Sequence, residues 1–211
     1  MQTKLKALIE VGRIAKIKNG LYATVNPLTG DVFASRFEIA SALFENACVA
    51  YHSALEFHGL GNQMFSEVQV FTEKRNIPFE YNGLEYKFFS YTAKCGIMRL
   101  EQNVEIVVTD LERTVVDCID RIDLAGGLEE LVTALNGITH LDEQALLSYL
   151  KEYNKKFVYK KTEFLLSLLK KDLLSQNLFD ICKQNCSKKQ EDISENKKMP
   201  RKTDKYWGLM Y

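Results

Sequence analysis

Val104-Glu105-Ile106-Val107-Val108-Thr109, running straight into Asp110-Leu111-Glu112-Arg113-Thr114-Val115-Val116-Asp117, is the stretch on which the fold turns. The compact β-branched run predicts a strand, and Thr109-Asp110-Leu111-Glu112 has the form of a capping box that opens a helix. That helix carries an apolar stripe of Leu111, Val115, Cys118, Ile119 and Ile122. Its other face carries Arg113, Asp117 and Arg121 at i, i+4 spacing, which predicts surface or half-buried ion pairs.

Strands are predicted before this point and helices after it. Glu67 to Thr72 alternates polar and apolar residues, and Ile77 to Tyr81 and Leu84 to Tyr91 flank Asn82-Gly83, a hairpin turn signal. Two short helices are predicted earlier, from Ser35-Arg36-Phe37-Glu38 and Ser53-Ala54-Leu55-Glu56, each in capping-box form. Downstream, Gly127 to Asn136 reads as a helix closed by Gly137. Asp142 caps the next one, with Leu141 and Leu146 placed as a hydrophobic staple, and Phe164, Leu165, Leu168, Leu169 and Leu173 mark a third. Segregated strands and helices predict an α+β protein with a mixed sheet and packed helices.

The start of the chain reads differently. Leu5, Leu8 and Ile9 give a helix one apolar face, Gly12 ends it, and Arg13 to Lys18 and Leu21 to Val25 form strands around Asn19-Gly20. A recognition helix followed by its wing has this order. Lys4, Lys6, Arg13, Lys16 and Lys18 stand against Glu10 alone, a net of +4 over residues 1–25. With Asn19 these residues are the predicted DNA contacts, chiefly to phosphates. Leu21 and Tyr22 are placed to pack the wing against its helix. A winged helix has two further helices ahead of the recognition helix, and about a dozen residues precede this hairpin, so the prediction is a truncated winged helix over residues 1–26.

The overall formal charge of +0 conceals a partition, since residues 27–150 sum to −11 and residues 151–211 to +7. An α+β body is predicted over 27–182, a polar mobile segment over 183–205, and an apolar end over 206–211, Tyr206-Trp207-Gly208-Leu209-Met210-Tyr211, that docks back on the body. No apolar run reaches the roughly 20 residues of a membrane span, and the start lacks a secretory signal, so a cytoplasmic protein with free thiols is expected. His52 and His58 lie six apart and do not share a helix face, and Cys182 and Cys186 have no second pair, so neither a metal nor another cofactor is expected. The competing enzymatic pattern is Glu85-Tyr86-Lys87 on a predicted strand, the Glu-x-Lys form of metal-dependent nucleases. The Asp that form requires upstream is missing, because no Asp occurs between Asp31 and Asp110.

Four segments combine into a likeness. They are the hairpin residues Gly12, Ile14, Gly20, Leu21 and Tyr22; Ala50-Tyr51-His52-Ser53-Ala54-Leu55-Glu56-Phe57-His58-Gly59-Leu60; the stretch from Val108 to Asp117; and Trp207-Gly208-Leu209. In order and spacing the chain resembles the AbiEi family, antitoxins of type IV toxin-antitoxin systems that also act as transcriptional repressors. The resemblance implies a winged helix that binds operator DNA in the promoter of its own operon. It also implies a C-terminal domain that counters a nucleotidyltransferase-like toxin without a stable complex. No catalytic residue is implied, and Tyr51, His52, Ser53, His58, Asp110, Glu112, Arg113 and Asp117 become the candidates for antitoxin function.

Overall fold

A computed structural model describes residues 2–74, 76–101, 104–170 and 172–186, together with the backbone of 191–192, 203–204 and 209–210. The fold is α+β, and the described residues form a mixed six-stranded sheet and eight helices. The chain divides into two compact units. The first comprises residues 1–49, 65–90 and 98–108, the second 50–64, 91–97 and 109–211.

The first unit opens with helix α1 (Gln2–Glu10), then β1 (Ile14–Lys18) and β2 (Leu21–Thr24), paired antiparallel. Helix α2 (Arg36–Ala42) follows, and its capping box forms as the sequence predicts: Ser35 Oγ accepts from Glu38 N–H, and Glu38 Oε2 accepts from Ser35 N–H at 2.7 Å. Such a cap is worth about 1 kcal/mol. The large sheet contains β3 (Cys48–Val49), β4 (Glu67–Thr72), β5 (Phe79–Tyr81), β6 (Leu84–Ser90), β7 (Ile97–Leu100) and β8 (Ile106–Thr109), in the order β5-β6-β4-β3-β8-β7. Neighbours alternate in sense from the β5 edge inward: β5 and β6 antiparallel, β6 and β4 parallel, β4 and β3 antiparallel, β3 and β8 parallel. Val68, Val70 and Phe71 of β4 are fully buried, as are Val49 and Val108. Each such side chain removed from water contributes about 1.5–3 kcal/mol. Ser41 Oγ ties α2 to β8 by accepting from Val107 N–H at 2.9 Å.

The two Asn-Gly turns differ. Asn82 and Gly83 both have positive φ, at 50° and 72°, the geometry of a tight two-residue turn between Tyr81 and Leu84. At the first hairpin only Gly20 is left-handed, and the register slips between Lys16 and Lys18. That slip explains how Ile14 and Ile17, on opposite faces of an ideal strand, coexist in one short strand, because the bulge turns Ile17 into the interior.

In the second unit, α3 (Tyr51–Phe57) precedes α4 (Leu111–Asp120), a 3-10 turn (Ile122–Ala125), α5 (Leu128–Gly137), α6 (Glu143–Tyr153), α7 (Lys156–Leu169) and α8 (Gln176–Asn185). Helix α4 is the hub, packed by α3, α5, α6 and α7. Every residue from Arg113 to Ile119 is therefore buried. The predicted Asp142 cap is present, its carboxylate accepting from Gln144 and Ala145 N–H, and both staple residues, Leu141 and Leu146, are buried. Leu173 lies beyond the end of α7.

Cys48, Cys118 and Cys182 are buried free thiols. Residues 183–185 close α8, and the backbone pairs 191–192, 203–204 and 209–210 form a small sheet. Apart from Cys186, the remainder of the predicted polar segment and of the apolar end lies outside the described residues. Among the described residues no helix is long and apolar enough to cross a membrane.

Candidate functional site

Two regions concentrate the residues singled out by the sequence. One is the N-terminal turn of α4, in the second unit. Asp110, not Thr109, is the N-cap, with Oδ1 accepting from Arg113 N–H at 2.8 Å and Oδ2 accepting from the Tyr149 hydroxyl at 2.6 Å. The predicted box slips by one residue because Thr109 still belongs to β8 and shares its hydroxyl with Thr114 at 2.7 Å. Glu112 is thereby released from the box. Its carboxylate instead accepts from Asp142 N–H at 2.8 Å, at the start of α6.

The ion pair predicted to be at the surface or half-buried is a fully buried clamp. Arg113 and Asp117 are 0% and 1% exposed, and Arg113 Nε donates to Asp117 Oδ2 at 3.0 Å and to Tyr153 Oη at 3.1 Å. Nη1 donates to the carbonyls of Ala93 (2.9 Å) and Cys95 (2.8 Å), and the Tyr153 hydroxyl donates to Asp117 Oδ1. The spacing was legible, but burial comes from the 91–97 segment and α6. Arg121, read as part of the same row, pairs with Asp123. Gly96 permits the close approach: it has φ +63°, and a Cβ there would stand 2.7 Å from Arg113 Cβ and 2.8 Å from Tyr149 Cζ.

Electrostatics make this cluster a poor nucleophile. Burial pushes the Asp117 carboxyl up to about 7, against the opposing pull of Arg113. Burial also raises the Cys95 thiol and the Tyr51 phenol, and the Tyr149 phenol rises through burial and its bond to Asp110. At neutral pH the hydroxyls and the thiol stay protonated. What the arrangement does is hold the 91–97 segment against α4 and α6.

The histidines and their neighbours also serve as ties. Helix α3 begins at Tyr51 behind an Ala50 cap position, so the predicted Ser53 box does not form, and Ser53 lies buried inside the helix. Tyr51 itself has φ +50°, a conformation costing about 1–3 kcal/mol for a non-glycine residue. His52 Nε2 lies 3.1 Å from Glu130 Oε1, which also accepts from Asn62 and Gln63 N–H at 2.7 and 3.1 Å. Burial raises the Glu130 carboxyl, but these hydrogen bonds outweigh it and leave the group below its usual range. His58 Nε2 donates to the Thr109 carbonyl at 2.8 Å. Thus Arg113 links Asp110 at the start of α4 to Asp117 one turn beyond it, His58 reaches Thr109, the residue before Asp110, and His52 joins a separate tie. The sequence reading missed Gly96, Glu130, Tyr149 and Tyr153. The two tyrosines carried a signal, since their i, i+4 spacing puts both hydroxyls on one face of α6.

The second region, in the first unit, is the basic helix and hairpin. Lys4, Lys6, Arg13, Lys16 and Asn19 are exposed, whereas Lys18 is half-buried. The apolar stripe of α1 is only partly covered, with Leu8 43% and Ile9 37% exposed. Leu21 and Tyr22 line a groove of about 670 Å³ with Ile17, Phe33, Ile39 and Val104, so these two residues share a groove with α2, and no residue of α1 lines it.

The nuclease-like pair is neutralised. Lys87 Nζ lies 2.5 Å from Glu67 Oε2 and 3.4 Å from Glu85 Oε2, a charge arrangement joining β6 to β4. Among the described residues no group of three or more His, Cys, Asp or Glu side chains is arranged to hold a metal.

No protein-family model matches the chain, and no curated protein matches it. Among solved structures the fold is similar to that of the RV2827C protein from Mycobacterium tuberculosis. The TM-score is 0.70, over 99% of this chain and 78% of that one, at 12% sequence identity. The likeness is one of fold alone.

Proposed function

We propose that the chain is a cytoplasmic, non-enzymatic DNA-binding autorepressor of antitoxin type, the reading to which its AbiEi-like segments point. One observation supports it above the others: Lys4, Lys6, Arg13, Lys16 and Asn19 are all exposed on a single helix-hairpin in a chain that is otherwise acidic as far as residue 150. Such a surface gathers phosphates by counterion release, and operator DNA of its own promoter is its partner. A winged-helix role for α1 and the hairpin belongs to this proposal. The second unit opposes a nucleotidyltransferase-like toxin without a stable complex. Asp110, Arg113 and Asp117 act there by holding the 91–97 segment.

Two readouts in cells test this: repression of a reporter driven by the gene's own promoter, and growth rescue against a nucleotidyltransferase-like toxin encoded beside it. The double variant R13A/K16A loses repression and keeps rescue. A wild-type protein that neither represses nor rescues contradicts the proposal. Purified protein with Mg²⁺ or Mn²⁺ leaves DNA and RNA uncut, since Lys87 is held between two carboxylates. Cleavage abolished by Lys87→Ala would overturn the non-enzymatic reading.

A further inference from the structure

The hairpin does not treat its two lysines alike. Lys16 is exposed and pairs in register with Tyr22, while the register slip that follows turns Ile17 inward to 8% exposure and leaves Lys18 half-buried. The Lys18 ammonium stands 4.1 Å from the centroid of the Phe44 ring and 5.4 Å from that of Phe79. Both rings are fixed in turn. Phe88 meets Phe44 edge-on at 5.4 Å and stacks on Phe79 at 6.3 Å, and Phe79 stacks on Tyr86 at 4.9 Å. Phe44 follows α2, Phe79 belongs to β5, and Phe88 to β6. One cation therefore fastens the hairpin to two rings of its own unit, one just after α2 and one on β5, by attraction to the negative ring faces. A lysine engaged in this way is not equivalent to one standing free in solvent.

We propose that Lys18 is a positioning residue: seated on Phe44 and Phe79, it fixes the angle of the hairpin, and the phosphate contacts of that hairpin fall to Arg13 and Lys16. The second half rests on the DNA-binding reading above. The first half is a property of the free protein and is tested without DNA.

In hydrogen exchange on the full chain, Lys18→Ala and Phe44→Leu each speed exchange of the hairpin amides between Ile14 and Thr24 by about two- to five-fold, the scale of a partly exposed cation–ring contact. Lys18→Arg restores protection, and Lys16→Ala leaves it unchanged. In a salt titration against a duplex of the gene's own promoter, Lys16→Ala flattens the slope of log K against log salt by about 0.9. Lys18→Ala weakens binding and keeps the slope. Native exchange in Lys18→Ala overturns the seating role, and a slope that falls as it does for Lys16→Ala makes Lys18 a phosphate contact. If exchange responds as stated but the wild type does not bind DNA, the seating of Lys18 stands and the DNA-binding reading fails.

Discussion

Arg113 satisfies two carbonyls, one carboxylate and one hydroxyl from a position without solvent. Removing it leaves the Ala93 and Cys95 carbonyls without this donor, drives the buried Asp117 carboxyl to take up a proton and empties a fully buried volume, a change that costs about 3–5 kcal/mol. For a chain of this size that is a fall in Tm of about 6–20 °C, and thermal melts of purified Arg113→Ala check it. Titration gives a second residue-level prediction. Burial raises the Asp117 and Glu163 carboxyls to about 7, and lowers the Lys161 ammonium to about 8. Between the ordinary carboxylate range and 7 the folded state holds protons that the unfolded chain has released, so stability falls as pH rises through that window. Between 8 and the ordinary lysine range the unfolded chain holds the extra proton, and stability rises with pH. Melts from pH 4.5 to 9.5 should show a minimum near neutrality, and Asp117→Asn should flatten its acid side.

The elements repeat this dependence on close local geometry. Gly96→Ala adds a Cβ against Arg113 and Tyr149 at a positive φ, and should cost about 1–3 kcal/mol by overpacking, measured by chemical denaturation. Ser35→Ala, which removes only one half of a capping box, should cost about 1 kcal/mol. Such caps were legible because donor and acceptor lie within three residues, as at Ser35 and Asp142. Ser53 met the same pattern and failed, since the chain leaves β3 at Val49 and turns into α3 two residues later. Strands β3 and β7 escaped the sequence reading: β3 is two residues long, and its partners are drawn from residues some twenty and sixty positions away. The Arg113–Asp117 spacing was legible and its burial was not, because a one-dimensional pattern does not show that Tyr153 and the 91–97 segment close over it.

On the scale of the whole molecule, the charge partition and the two compact units frame the functional proposal. The exposed cations of residues 4–16 belong to the first unit, and the Asp110–Arg113–Asp117 cluster to the second, so DNA binding and toxin neutralisation should respond to different substitutions. A salt titration of binding to the gene's own promoter addresses the DNA claim most directly, comparing the wild type with a variant in which Lys4, Lys6, Arg13 and Lys16 are all changed to Ala. If these four neutralise phosphates, the wild-type slope of log K against log salt exceeds the variant's by about 3–4. Equal slopes in the two proteins, or a wild-type affinity indifferent to salt, would mean that the helix and hairpin do not read DNA.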